Sequence, residues 1–128
     1  MKSLDDGQDP PRPGAAYSLA RAAGGFVFIS GRGAFDTVTG KVIGTTVGEQ
    51  TEKTIANLAT LLAAHGLDLT DVVKATVHLQ NRDADFDEFD ATYAKLMPRP
   101  YAIRTTVGSD LADILVEIDI IALCRPDG

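Results

Sequence analysis

Two chemically capable side chains interrupt apolar, β-branched runs near the end of the chain. Arg104 lies in Ile103-Arg104-Thr105-Thr106-Val107, and Glu117 lies in Val116-Glu117-Ile118-Asp119-Ile120. A guanidinium takes a carboxylate through two parallel N–H···O bonds, which fixes orientation as well as affinity. A carboxylate can hold a water or move a proton. Both runs read as strand, and strand side chains alternate faces with period two. From Ile114 to Leu123, one face is then Ile114, Val116, Ile118, Ile120 and Ala122. The other carries Leu115, Glu117, Asp119, Ile121 and Leu123. That second face is too apolar for water and too acidic for ordinary core, so its charges need partners or form a site. The plainer alternative is a structural ion pair of Arg104 with Glu117 or Asp119.

The elements that must position these groups follow from periodicity. A first strand is expected over Tyr17–Ala20, with a turn at Ala23-Gly24-Gly25 and a second strand over Phe26–Ser30 broken by Gly31, the two pairing as a hairpin. Lys41-Val42-Ile43 offers a brief further strand. Residues 48–65 switch to helical period, with Ile55, Leu58, Ala59, Leu61 and Leu62 on one face and Gly66 as the stop. A strand over Asp71–Leu79 is followed by a helix over Ala84–Met97, with Phe86, Phe89, Tyr93 and Leu96 or Met97 inward and Pro98 and Pro100 ending it. Two last strands run over 101–107 and 114–123. The order β-β-(β)-α-β-α-β-β predicts an α+β layer, a mixed sheet with two helices packed on one face. The uncovered face would still show Leu115, Ile121 and Leu123, which is the signature of a protein interface. A homo-oligomer follows, with Arg104 and Glu117 at or near its seams, where clefts form.

Composition narrows the class. The chain has 128 residues, 45% of them hydrophobic and 23% charged, enough for one globular domain. Residues 1–13 read as a flexible arm without the apolar core of a signal peptide, leaving 14–128 as a single domain. A net charge of −6 with no cluster of Lys and Arg argues against nucleic acid as a partner. No run approaches the ~20 apolar residues of a membrane span, so no membrane partner is expected. The one cysteine, Cys124, excludes an internal disulfide and fits a reducing, cytoplasmic compartment. With two histidines it also argues against thiolate zinc, and no metal is expected.

Several short pieces, in order, carry a resemblance. They are Tyr17-Ser18-x-Ala20, Gly25-Phe26-Val27-Phe28-Ile29-Ser30-Gly31, Gly48-Glu49-Gln50-Thr51, Asn57-Leu58 and Gly66-Leu67-x-Leu69-x-Asp71-Val72-Val73-Lys74-x-Thr76-Val77. Phe86-x-x-Phe89-x-x-x-Tyr93, Arg104-Thr105-Thr106-Val107 and Val116-Glu117-Ile118 complete the set. From about Pro13 to Leu123 the chain resembles the RidA (YjgF) family. The resemblance implies a chorismate-mutase-like homotrimer of the bacillus type, with clefts between subunits. It implies hydrolysis of reactive 2-enamine and 2-imine acids to 2-oxo acids and ammonia, without a cofactor. Such intermediates are released by pyridoxal-phosphate dehydratases acting on serine or threonine.

The resemblance also assigns roles. Arg104 binds the substrate carboxylate and Glu117 positions a water. Tyr17 closes the cleft, where its hydroxyl can donate, although a tyrosine there is otherwise ordinary packing. Ser30 and Gly31 form the floor, Thr106 lines the cleft, and Asp90 stands at a substrate-contacting position. Four places depart from the family pattern. Asp90 replaces a common asparagine and would repel a substrate carboxylate unless it turns away or pairs with Arg32. Arg32 replaces a common glutamine and is expected to be exposed, the other reading being recognition of a second acidic group. Ala102-Ile103 replaces Pro-Ala before the arginine. His78 replaces an apolar residue and is expected to be structural. The rival function is a non-catalytic trimer that binds small carboxylic acids as a regulator. RNA cleavage, translation inhibition and a holdase role are more remote.

Overall fold

The computed structural model describes residues 15–126, so the arm expected at 1–13 lies outside the described residues. The first turn is set by Gly24 and Gly25, both at positive φ (60° and 87°), where a Cβ is disfavoured. They join β1 (Ala20–Ala23) to β2 (Phe26–Arg32) as an antiparallel hairpin with Ala20 opposite Ile29. β1 begins three residues later than expected. The fully buried Leu19 offers its carbonyl to the Ser30 amide (2.9 Å) and hydroxyl (3.0 Å), and regular pairing starts only beyond it. Gly31 does not end β2 either. The strand continues to Arg32 through a register shift between Ile29 and Arg32. The short strand expected at 41–43 reduces to one bridge, Val42 with Phe35.

Helix α1 (Val47–Ala63) opens with a capping box. The Thr46 hydroxyl accepts from the Glu49 amide at 3.1 Å, and the Glu49 carboxylate accepts from the Thr46 amide at 3.1 Å. Its buried stripe includes Ile55, Leu58, Leu61 and Leu62. A 3-10 turn (Leu69–Asp71) leads into β3 (Val72–Leu79), followed by α2 (Arg82–Leu96), β4 (Ile103–Gly108) and β5 (Val116–Leu123). The inward residues of α2 are Phe89 and Tyr93, and Met97 just beyond it is buried whereas Leu96 is exposed.

The sheet order is β1-β2-β5-β3-β4, antiparallel throughout except for the β3–β4 pair. Parallel pairing of β3 with β4 is what a helix between them permits, because α2 returns the chain to the same end of the sheet. One face of the sheet supplies Val27, Ile29, Ala75, Val77, Leu79, Val116, Ile118, Ile120 and Ala122 to a single core shared with both helices. The expected α+β layer, with helices on one face, is therefore the fold. On β5 the alternation is as the sequence predicts: Val116, Ile118, Ile120 and Ala122 are buried, while Glu117, Asp119, Ile121 and Leu123 point to the uncovered face.

Candidate active site

Cross-strand register decides where each candidate side chain stands. Arg104 pairs with Ala75 and Thr106 with Val77, both core residues, so Arg104 and Thr106 lie on the helix-covered side of the edge strand β4. Glu117 pairs with His78 and Asp119 with Thr76, on the uncovered side. Arg104 and Glu117 are thus on opposite faces of the sheet. The alternative of an internal ion pair between Arg104 and Glu117 or Asp119 is overturned by that register.

Arg104 finds its surroundings in α2. Its guanidinium lies over the rings of Tyr93 (4.8 Å to the centroid), Phe89 (5.3 Å) and Phe86 (5.8 Å). A cation within ~6 Å of a ring face is attracted by its quadrupole. Its Nη1 stands 2.8 Å from Asp90 Oδ1, and Asp90 is the one acidic group within ion-pair reach of Arg104 among the described residues. The pair sits at the surface: the side chains are 22% and 47% exposed. Asp90 neither turns away nor takes Arg32 as its partner. Burial pushes the Tyr93 phenol up, with the Arg104 charge pulling the other way, and its buried hydroxyl has no hydrogen-bond partner among the described residues. This aromatic platform is the part of the site that sequence reasoning missed. Phe86, Phe89 and Tyr93 read as core spacing, and the signal that they also carry Arg104 lies in the β3-α2-β4 crossover, which lays α2 over β4.

The second cluster sits across the sheet. Gly31 is pressed against Glu117: a Cβ there would stand 2.6 Å from the Glu117 Cδ and 2.9 Å from its Cγ. The Ser30 hydroxyl, besides donating to Leu19, accepts from Arg32 Nη2 at 3.2 Å. Arg32 is 4% exposed, with Nε donating to the carbonyls of Gly31 (3.0 Å) and Ser30 (3.3 Å), so the expectation of an exposed side chain is corrected. The cause is the register shift, which puts Arg32 opposite Ile118 on the covered side and turns the Ser30 and Gly31 carbonyls towards it. His78 is held between Ser109 Oγ (Nδ1, 2.9 Å) and Asp119 Oδ2 (Nε2, 3.3 Å), a structural arrangement beside Glu117. A shallow hollow of about 550 Å³ on this side is lined by Ser18, Arg21, Phe28, Ser30, Gly31 and Asp119, among others. Tyr17 precedes β1 and is half-exposed, with no hydrogen bond to its hydroxyl among the described residues.

One protomer therefore brings together Arg104, Asp90 and the aromatic platform, and separately Ser30, Gly31 and Glu117. It does not bring the two clusters to one point. Among the described residues, no group of three or more His, Cys, Asp or Glu side chains is placed to hold a metal ion. No helix among them is long and apolar enough to cross a membrane.

Comparison with known proteins agrees with this architecture. A family model described as endoribonuclease L-PSP matches residues 7–124. A RutC family protein of Pyrococcus horikoshii is 33% identical over 124 residues, covering 95% of this chain and 98% of its own. The chloroplastic Reactive Intermediate Deaminase A of Arabidopsis thaliana is 37% identical over 108 residues, covering 83% of this chain and 57% of its own. Among solved structures, RidA from an Antarctic Psychrobacter species superposes with a TM-score of 0.84 at 27% identity, covering 96% of this chain and 99% of that one.

Proposed function

Because the chain belongs to the endoribonuclease L-PSP family, that of the YjgF/RidA proteins, we propose that it hydrolyses reactive 2-imino acids, and the 2-enamines that tautomerise to them, to 2-oxo acids and ammonia. One relative carries the name reactive intermediate deaminase, which supports the general activity. The observation that carries the reading is Arg104, a guanidinium at the open edge of the sheet, fixed on three aromatic rings and still partly exposed. A carboxylate docks on the donors that Asp90 leaves unused.

The protonated imine, R–C(=NH2+)–COO−, takes up one water and yields R–CO–COO− and NH4+. Water adds to the imine carbon, a proton passes from the new hydroxyl to nitrogen, and the carbon–nitrogen bond breaks. Glu117 holds the attacking water, Gly31 packs against it as the cleft floor, and the Tyr17 hydroxyl faces the reacting oxygen. Thr106 lines the wall beside Arg104. No cofactor is needed, because the imine carbon is already electrophilic.

Arg104 and Glu117 cannot meet within one protomer, so the site is assembled between subunits of a homotrimer. Phe28 (43% exposed), Leu123 (49%) and Ile103 (71%) on the uncovered face supply apolar surface for that association. Among the described residues, β1 and β4 are the sheet edges and carry no further strand, as pairing with a neighbour requires. The net charge of −6 opposes binding of a polyanion such as RNA.

The test generates 2-iminopropanoate in place with a serine dehydratase and follows its capture by semicarbazide. The protein should divert the imine from the trap and release ammonia, and Arg104→Ala should not. Arg104-dependent binding of pyruvate with no turnover would replace the enzyme by the carboxylate-binding regulator. Monomeric protein by sedimentation would remove the intersubunit site.

A further inference from the structure

Arg104 does not present a bare positive charge. Asp90 Oδ1 sits 2.8 Å from its Nη1, and the Asp90 side chain is the more exposed of the two. We propose that Asp90 and Arg104 act together as a receptor of two signs, which selects the zwitterionic, protonated form of a 2-imino acid over a simple carboxylate. The inference rests on the reading of Arg104 as the carboxylate anchor and deepens it by naming the charge state of the substrate.

Three observations lead there. First, the aromatic platform and Asp90 together fix the guanidinium, so it cannot swing off to meet an anion elsewhere. A ligand carboxylate must then use the remaining N–H donors and lie beside Asp90. Second, two carboxylates placed so close repel. At ~5–6 Å and an effective dielectric between those of a half-exposed site and water, that repulsion weakens a plain carboxylate on the order of tenfold. Third, a 2-imino acid carries its nitrogen on the carbon next to the carboxylate. An iminium N–H at that place reaches Asp90, which can accept a charge-assisted hydrogen bond through the half-exposed carboxylate.

The arrangement suits the reaction in two ways. The iminium is the form whose carbon water attacks most readily, so Asp90 favours the reactive protonation state. The 2-oxo acid product has lost the nitrogen and keeps only the repelled carboxylate, so it leaves.

The experiment compares two isosteric ligands that are not turned over, alanine (zwitterion) and pyruvate (carboxylate), by NMR titration at low salt with wild type, Asp90→Asn and Arg104→Ala. Wild type should prefer alanine. Asp90→Asn should bind pyruvate about tenfold more tightly than wild type does and should lose its preference for alanine. Asp90→Ser, which also removes the charge, should shift the ratio the same way, so the result does not hang on one variant's folding. Wild type binding pyruvate as tightly as alanine, or a ratio unmoved by both variants, overturns the inference while Arg104-dependent binding keeps the reading of the site. Binding of neither ligand, or binding that Arg104→Ala leaves intact, overturns both.

Discussion

Substituting Gly31 by alanine tests whether the fit of Glu117 against the β2 backbone matters, without changing any charge. A Cβ at position 31 would have three nearest neighbours, all on the Glu117 side chain. Ordinary contact begins near 3.4 Å, so Cγ at 2.9 Å must retreat by about 0.5 Å and Cδ at 2.6 Å by about 0.8 Å. Crowding of this kind costs about 1–3 kcal/mol of stability. The carboxylate is the end that moves most, and a displacement of that size can cost on the order of 10²-fold in rate when the group positions a reactant. The expected variant therefore has a sharply lower kcat for imine hydrolysis. Its KM should change less than kcat, because on the proposed reading the substrate carboxylate is held by Arg104, which the new Cβ does not touch.

A double-mutant cycle makes the reasoning refutable. Glu117→Ala removes the three nearest atoms that the new Cβ would meet. In that background Gly31→Ala should no longer destabilise. It should even stabilise by about 0.5–1 kcal/mol, since glycine inside a strand is that much worse than alanine. Urea denaturation of the four proteins reads the coupling, which should equal the crowding cost of about 1–3 kcal/mol because the glycine–alanine difference cancels. If Gly31→Ala costs the same with and without the Glu117 side chain, the two residues are not in contact as described and the glycine serves the turn of the backbone instead.

Two other perturbations probe the frame that holds the site. Asn57 is buried, and its amide donates to the carbonyls of Gly33 (3.0 Å) and Phe35 (2.9 Å), so Asn57→Leu strands two acceptors and should cost about 1–3 kcal/mol by denaturant titration; an unchanged midpoint would show that the segment after β2 needs no such tie. Hydrogen bonds from the Thr45 and Thr46 amides hold the Glu49 carboxyl below its usual value of 4.5. A carboxylate depressed on folding contributes stability that is present above its unfolded pKa and lost as pH falls through the folded one. Thermal melts should therefore fall below about pH 4.5 in wild type and fall less steeply in Glu49→Gln, and parallel melts would sink the assignment.

Which parts were readable from residues alone has a physical pattern. β5 is a central strand with helices on one side, so burial acts on every second residue and Val116 to Leu123 display the alternation directly. The stripe of α1 was legible for the same reason, with one residue of slack at its start and two at its end. The side of the sheet on which Arg104 stands was not legible. It is set by the parallel register of β4 with β3, a non-local fact, and β4 as an edge strand has no burial pattern strong enough to announce it. Arg32 was misread because nothing local marks the register shift that turns it inward and gives it two carbonyls to bind.

These failures share a cause that bears on the site itself. Charged residues in this fold are placed by pairings distant in sequence, and their meaning changes with the face they land on. Arg104 on the uncovered side would have faced Glu117 and Asp119, and a closed salt bridge would have been the simplest outcome. On the covered side it meets α2, whose register supplies three aromatic rings and a single carboxylate at positions 86, 89, 93 and 90. That leaves a cation anchored but still partly exposed at an edge strand, and leaves Glu117 without an ion pair among the described residues on the opposite face. On the proposed reading, an edge of one copy laid against the face of another brings the guanidinium and the carboxylate together, so oligomerisation and activity should be lost together when the edge strand β4 is disrupted.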